Sequence, residues 1–278
     1  MSELHISPKD VFQLRKDTGA GMMACKKALQ EAGGDMDEAM KLIRASAKSK
    51  ADKKKDRETA SGCVQAFSGS AGGVVVEVKS ETDFVARNEL FQKFSQDLAA
   101  LAYDKQLDDV EALMSEAMQN QEGTVEQVRS ELVQQLGENI VISRCHFIPS
   151  ESQKVSHYVH MDRIAVIVRW EGNHAEVGPN MAMQIAAADP QGLSKEDIPE
   201  KMMADECDIF KKQVDELDKP AEVANKILQG KIDKFVDSQI LGGQDYICDD
   251  SKQKVRDYLK QQHAQVTAFT RFELGQKS

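Results

Sequence analysis

The same order of predicted secondary-structure elements occurs twice along this chain of 278 residues. Each half begins with two short runs rich in β-branched residues, continues through amphipathic helical segments and closes with a strand. When Val128–Phe147 is aligned with Val255–Leu274 without gaps, six positions are identical, which suggests an internal duplication. Because strands joined by a hairpin are antiparallel, we predict an α+β core of two related halves, each a small antiparallel sheet with helices on one face.

The predicted elements follow from periodicity and from turn residues. In the first half the predicted strands are Gly62–Phe67, Gly73–Val78 and Ile140–Ile148. One predicted helix begins at Leu90, and two more cover Asp108–Met118 and Thr124–Leu136. In the second half the strands are Val155–His160, Arg163–Trp170 and Val266–Glu273, and the helices are Met181–Ala188 and Ser251–Gln262.

Residues 7–44 predict three short helices before this core. Ser7 followed by Pro8 is typical of a helix start, and Asp35 with Glu38 has the spacing of a cap at the third helix. Glycine pairs between the helical patterns break the chain twice. We therefore expect a small independent three-helix bundle at the N-terminus.

A basic run follows the bundle. Lys41–Arg57 contains eight basic residues and two acidic ones, Asp52 and Asp56, and its apolar period fades. We interpret this run as a linker, although it could also extend the third helix. A patch for ribosomal or transfer RNA is a further possibility, but basic runs are more often solvated helix faces or tethers.

A second irregularity interrupts the second half. Met203, Cys207, Phe210, Val214 and Leu217 step by three and four residues, and a similar stripe returns after Lys219-Pro220. This pattern predicts a helical hairpin, which is either a coiled coil or an ordinary two-helix excursion. The expected segments are residues 1–55 (three-helix module and basic linker), 56–149 (first half), 150–190 with 241–278 (second half) and 191–240 (hairpin).

Composition limits the function. The net charge of -10 and the pI near 5.2 argue against a general nucleic-acid binder. Five cysteines without CxxC spacing form neither a disulfide framework nor a zinc knuckle. Met1–His5 has no export pattern, and no apolar run reaches about 18 residues. We expect a cytoplasmic protein that meets a protein partner and does not cross a membrane.

The sequence lacks the motifs of nucleotide binding and acyl transfer. No GxxxxGK[ST], GxGxxG or GxSxG pattern occurs, so we expect no direct nucleotide binding, no cofactor and no enzyme activity. His157 and His160 lie three apart on a predicted strand and should point to opposite faces. No acid or cysteine stands at ligand spacing beside them, so we expect no metal site.

One stretch has an aromatic residue beside a carboxylate at a predicted strand-to-helix junction. Glu81–Asn88 follows the predicted strand that ends at Val78 and precedes the helix that begins at Leu90. Such junctions lie on the surface and often carry function. From the local pattern alone, Phe84 is more simply a core residue, with Asp83 or Asn88 capping the helix.

Two stretches resemble the signatures of a known family. Glu77–Arg87 resembles the second signature of the elongation factor Ts family, with Lys79 where the family usually has Asn. Leu14–Leu29 is similar to its first signature, with Ala24 in place of the usual Asp. The resemblance implies that the N-terminal bundle is of the ubiquitin-associated type and that the hairpin is an antiparallel coiled coil.

The resemblance also implies a function. Members of this family bind elongation factor Tu in its GDP form and promote GDP release during translation. Phe84 would then wedge beside the partner's magnesium site and displace the ion, with Thr82, Asp83 and Val85 around it. Further partner contacts would come from Arg15, Gly19, Met22, Met23 and His160. A homodimer through the hairpin is possible, and an RNA- or ribosome-associated role for the basic linker is the alternative function.

Overall fold

The computed structural model describes residues 6–119, 121–217 and 219–276. Met1–His5, considered above for an export pattern, lies outside these ranges. The helices are α1 (Pro8–Thr18), α2 (Met22–Glu31), α3 (Met36–Asp52), α4 (Asp83–Ala86), α5 (Glu89–Lys105), α6 (Val110–Ser115), α7 (Val125–Leu136), α8 (Val177–Ala188), α9 (Glu200–Asp215), α10 (Ala221–Gln239) and α11 (Val255–Gln261). The strands are β1 (Ser61–Gly69), β2 (Gly72–Ser80), β3 (Ile140–Pro149), β4 (Lys154–His160), β5 (Ile164–Glu171) and β6 (Gln265–Glu273).

The described residues divide into two compact units. The first comprises those within Met1–Gln65, Val74–Phe147 and Glu273–Ser278, and the second comprises Ala66–Gly73 with those of Ile148–Phe272. Among the described residues, no helix combines the length and the apolar composition that crossing a membrane requires.

The N-terminal part of the first unit is the expected three-helix bundle. The Ser7 hydroxyl accepts a hydrogen bond from the Lys9 amide at 3.2 Å, and the Asp35 carboxylate accepts one from the Glu38 amide at 2.9 Å. Both side chains therefore act as the helix caps that the sequence predicted. The bundle has its own core, which includes Val11, Leu14, Cys25, Leu29 and Ile43.

The linker interpretation of Lys41–Arg57 is wrong over most of its length. α3 continues to Asp52, and Ala47 and Ala51 are fully buried where α3 packs along α7. These alanines continue the inward stripe of Ile43 at four-residue intervals, so the lysines between them face outward. The alternative that the sequence left open, an extended third helix, is the one found.

The fold contains two three-stranded sheets, and most of each sheet belongs to a different unit. The sheet orders are β1-β2-β3 and β4-β5-β6, so a hairpin supplies two strands and a later strand supplies the third in both cases. β4 and β5 pair antiparallel from Lys154 opposite Trp170 to His160 opposite Ile164. The same order of strands and helices in both units agrees with the predicted α+β duplication.

The two sheets have separate cores. The core of the first unit includes Val74, Phe91, Phe94, Leu98 and Ile140. The core of the second unit includes Val168, Trp170, Met181, Leu241 and Tyr258. In the second unit α8 packs on β4 and β5, which places a helix layer against the sheet as predicted.

The predicted helical hairpin is present as α9 and α10. Phe210 and Phe235 meet edge to face with 6.2 Å between ring centroids. Among the described residues of both helices, Val214 alone is buried. The two arms therefore contact each other while most of their side chains remain at least partly exposed.

Candidate partner-binding turn

The stretch singled out in the sequence forms a single helical turn between β2 and α5. Thr82 is extended at the N-cap of α4, and its hydroxyl accepts a hydrogen bond from the Val85 amide at 3.4 Å. Asn88 begins α5 by accepting from the Leu90 amide at 2.9 Å. Two caps in close succession confine α4 to one turn.

Phe84 projects from this turn into solvent. Its side chain is 83% exposed, whereas Val85 and Ala86 are buried in the core of the first unit. Val85 and Ala86 therefore anchor the turn and leave Phe84 outside. The simpler interpretation of Phe84 as a core residue is wrong, because its two successors occupy the inward positions.

Asp83 lies beside Phe84 on the exposed face. Its carboxylate is 3.2 Å from the Arg87 guanidinium, one turn along the chain, and both side chains are largely exposed. Exposed pairs of this kind contribute little to stability, since solvent screens them. Both charges are thus accessible beside an exposed aromatic ring.

Side chains from another loop anchor the start of the turn. Glu138, just after α7, accepts hydrogen bonds from both the amide and the hydroxyl of Thr82. Glu81 accepts a hydrogen bond from the Asn139 amide. The sequence analysis did not find Glu138 or Asn139, and the one local signal was a helix-ending Gly137 followed by polar residues.

A buried charge lies upstream on β2. Glu77 is fully buried, and its carboxylate accepts hydrogen bonds from Arg144 at 2.9 Å, from Ser143, and from the Gly275 amide at 2.9 Å. Burial by itself raises the pKa of Glu77, but the hydrogen bonds from Arg144, Ser143 and Gly275 outweigh it, so the pKa lies below its ordinary value. The Lys79 ammonium is 3.8 Å away, which adds a cation at the position that departs from the family pattern.

Four of the other candidate residues lie together in the N-terminal bundle. Gly19 ends α1 in the left-handed region, and its amide donates to the Arg15 carbonyl at 2.8 Å. Met22 and Met23 begin α2 and are exposed, with Met23 76% exposed. They are therefore not core filler. Phe12 is also largely exposed, and the sequence analysis missed it although Val11 and Leu14 take the inward positions beside it.

His160 belongs to the second unit, at the end of β4. Its Nδ1 atom lies 3.1 Å from the Tyr158 hydroxyl, and the two rings stack with centroids 6.1 Å apart. Met161, next in the chain, is strongly exposed in the turn to β5. The other histidine of β4, His157, pairs instead with the Ser68 hydroxyl at 2.8 Å. Among the described residues, no cluster of three or more histidine, cysteine or acidic side chains is placed to hold a metal ion.

Comparisons with known proteins identify the same family that the sequence resembles. A family model described as Elongation factor TS matches residues 81–276. A protein named Elongation factor Ts from Hahella chejuensis is 43% identical over 274 residues, which cover 98% of this chain and 92% of the relative. Proteins of the same name from Alkalilimnicola ehrlichii and Methylococcus capsulatus are 40% identical over 273 residues and 39% identical over 268 residues. They cover 98% and 96% of this chain, and 92% and 91% of their own lengths.

The duplicated core, the exposed turn and these relatives define a protein of translation elongation. The match extends over nearly the full chain and includes the Thr82–Val85 turn. The chain belongs to the elongation factor Ts family.

Proposed function

We propose that this chain is a guanine-nucleotide exchange factor that binds elongation factor Tu with GDP in the cytoplasm and promotes GDP release. The observation that carries the proposal is the exposure of Phe84 beside the buried Val85 and Ala86. An exposed aromatic side chain on a fixed backbone has the character of an interface hot spot. Elongation factor Tu is the partner that the family implies.

In the proposed mechanism Phe84 enters the partner's nucleotide-binding domain and disturbs its magnesium and phosphate site. Asp83 supplies the polar contact next to the ring, because its carboxylate is exposed. The Thr82 hydroxyl is already bonded to Glu138 and Val85, so Thr82 mainly sets where the turn begins. This chain performs no covalent chemistry and holds no nucleotide itself.

The energetics follow from linkage. If this chain binds nucleotide-free elongation factor Tu more tightly than it binds the GDP form, the affinity of elongation factor Tu for GDP must be lower in the complex by the same ratio. The factor thus shifts the partner towards a state that releases GDP. Excess GDP should in turn dissociate the complex.

The remaining candidates fit secondary roles in the same proposal. Met22 and Met23 present a pliable apolar surface on the N-terminal bundle, and Arg15 and Gly19 flank it. His160 offers a polar contact on the second unit. The hairpin is proposed to bind either the partner or a second copy of this chain.

The RNA alternative has less support. Lys50 bonds to Gln134 at 3.1 Å, Lys54 bonds to the Gly137 carbonyl, and Arg57 bonds to Glu81 at 3.3 Å. Cations engaged within the chain are less available to phosphates, and the net charge is negative.

Stopped-flow release of fluorescent GDP from elongation factor Tu tests the proposal. We expect the full chain to accelerate release, and excess GDP to dissociate the isolated complex. Ile247→Ala alters an exposed apolar residue outside the candidate turn. This control variant should stimulate GDP release from elongation factor Tu as well as the wild type does. No acceleration by the folded wild-type chain would contradict the exchange function. Tight, steeply salt-dependent RNA binding instead would favour the alternative.

A further inference from the structure

The loop after α7 and the start of the Phe84 turn hold each other through two carboxylates. Glu138 accepts from the Thr82 amide at 3.0 Å and from the Thr82 hydroxyl at 2.6 Å. In the opposite direction, Glu81 accepts from the Asn139 amide at 2.6 Å. Each loop thus supplies an acid to the backbone of the other. Hydrogen bonds to ionised acceptors are stronger than neutral ones, so this reciprocal pair fixes the register of the two loops.

A third segment locks the same arrangement. Asn139 is 1% exposed, and its side-chain amide donates to the carbonyls of Lys55 at 3.2 Å and Arg57 at 3.1 Å. The Arg57 guanidinium also bonds to Glu81. The chain just after α3 is therefore tied to both loops, and neither loop can shift without breaking these hydrogen bonds, three of which are partly buried.

The orientation of Thr82 decides where α4 begins. Its hydroxyl donates its single proton to Glu138, which leaves the oxygen lone pairs free to accept from the Val85 amide. Without Glu138 the hydroxyl can rotate, and the cap that starts the turn loses its fixed direction. Phe84 lies two residues after this cap and is too exposed to be held by packing. The position of the Phe84 side chain is therefore determined by the backbone around Thr82.

We propose that Glu138 is a positioning residue for Phe84, acting through Thr82. The inference rests on the proposed exchange function, because it assigns Glu138 to the same turn. It is nevertheless separable from that function, since the order of the turn can be measured without the partner.

A double-mutant cycle tests the proposal. We expect Glu138→Ala to slow stimulated GDP release about tenfold, since hydrogen bonds to a charged group are worth about that factor. In the Phe84→Ala background, Glu138→Ala should cause no further slowing, because the residue it positions is gone. The fall in melting temperature caused by Glu138→Ala should be the same in both backgrounds, which separates positioning from stability.

Hydrogen exchange of the Val85 amide gives a readout that does not depend on activity. Glu138→Ala should speed exchange at Val85 while leaving the α5 core amides unchanged. Glu138→Gln, which keeps one acceptor for the Thr82 amide, should be intermediate in both assays. Glu122→Ala removes an exposed acid paired with Arg44 at 3.0 Å and should match the wild type.

Three results would overturn the proposal. Equal slowing by Glu138→Ala with and without Phe84 would mean that Glu138 touches the partner or acts through stability. Normal GDP release by a folded Glu138→Ala variant would mean that the clamp is not needed. Unchanged exchange at Val85 would mean that Glu138 does not order the turn. If the wild-type chain fails to stimulate release, the exchange function fails, while the Val85 measurement still decides whether Glu138 orders the turn.

Discussion

The Gln135 side chain donates a hydrogen bond of 3.0 Å to the backbone carbonyl of Thr18, 117 residues earlier in the chain. This contact joins α7 to the end of α1, just before Gly19. A Cβ atom on Gly19 would lie 2.3 Å from the Gln135 amide nitrogen. The turn that precedes Met22 and Met23 therefore contacts α7 through the exposed Gln135 side chain.

Gly19→Ala is expected to destabilise the first unit more than Gly33→Ala. Both glycines have positive φ angles, +66° and +64°, but a Cβ at Gly33 meets no atom within 4 Å. The shared backbone strain costs about 1 kcal/mol. At Gly19 the flexible Gln135 side chain must also move and give up its hydrogen bond to Thr18, which adds a smaller cost. Urea unfolding of both variants measures the difference. Adding Gln135→Ala to Gly19→Ala should reduce this difference in unfolding free energy. If Gly19→Ala and Gly33→Ala lose the same stability, the contact between Gly19 and Gln135 is unimportant.

Ala51→Leu is expected to cost about 1 to 3 kcal/mol of folding free energy, because it overfills a closely packed site. Ala51 is buried in the same hydrophobic core as Phe94. The matched variant Ala45→Leu lies on the exposed side of α3 and should change stability by less than about 0.5 kcal/mol. Thermal unfolding of the two variants provides the comparison. Equal melting temperatures would mean that α3 is not packed on the core.

The extension of α3 illustrates what the sequence could and could not reveal. Strong stripes of large apolar residues, as in α5 and the hairpin, were located from periodicity. Ala47 and Ala51 are apolar but small, so a run of lysines hid the stripe they continue. Their burial depends on the surface of α7, which local sequence does not encode.

Phe84→Ala is expected to leave stability within about 0.5 kcal/mol of the wild type, because the ring makes little contact within the chain. Stimulated GDP release should slow by about tenfold or more, as for other aromatic hot spots. Differential scanning calorimetry and stopped-flow fluorescence measure the two effects. Phe94→Ala, which removes a buried ring of the neighbouring helix, should lose about 3 to 5 kcal/mol. A Phe84→Ala variant that melts far lower, or that stimulates release normally, would contradict the prediction.

Glu77→Gln is expected to destabilise the first unit by about 1 to 3 kcal/mol at neutral pH, because it removes charge-assisted hydrogen bonds. The pKa of Glu77 lies below its ordinary value of 4.5. Its ionised form therefore contributes stability above pH 4.5, and this contribution is lost as the pH falls through the lowered pKa. The deficit of Glu77→Gln should shrink in the same range, as measured by urea unfolding across pH.

Glu131→Gln serves as a control, because the pKa of Glu131 is shifted in the opposite direction from that of Glu77. Burial raises the pKa of Glu131, although the Arg44 guanidinium, 3.3 Å away, partly opposes this. The ionised carboxylate therefore costs stability at neutral pH, and the cost disappears as the pH falls through the raised pKa. Glu131→Gln should be neutral or stabilising at neutral pH. The same pH trend for both variants would contradict the assignments.

Leu241→Ala is expected to cost about 2 to 5 kcal/mol, because Leu241 lies in the core of the second unit just after α10. Leu217→Ala, at the exposed end of the hairpin, should change stability by less than about 0.5 kcal/mol. Thermal unfolding of the two variants shows whether the stability of the second unit depends on the residues at the base of the hairpin or on those at its tip. Similar losses would mean that the tip also packs on the core.

The candidate turn was only partly accessible from sequence. The order of strand, Thr82, Asp83, Phe84 and helix located it, since these residues are adjacent in the chain. Glu138 lies 56 residues from Thr82, and a single sequence carries no signal that pairs them. Contacts made by folding, rather than by local pattern, therefore account for most of what was missed.

The bond between Glu77 and the Gly275 amide spans 198 residues. During synthesis β2 emerges long before Gly275 exists, so the Glu77 carboxylate must stay hydrated or rely on Arg144 and Ser143 until then. Closing so long a loop is slow and entropically costly. The first unit can therefore form this hydrogen bond only after Ile148–Phe272 of the second unit has been translated.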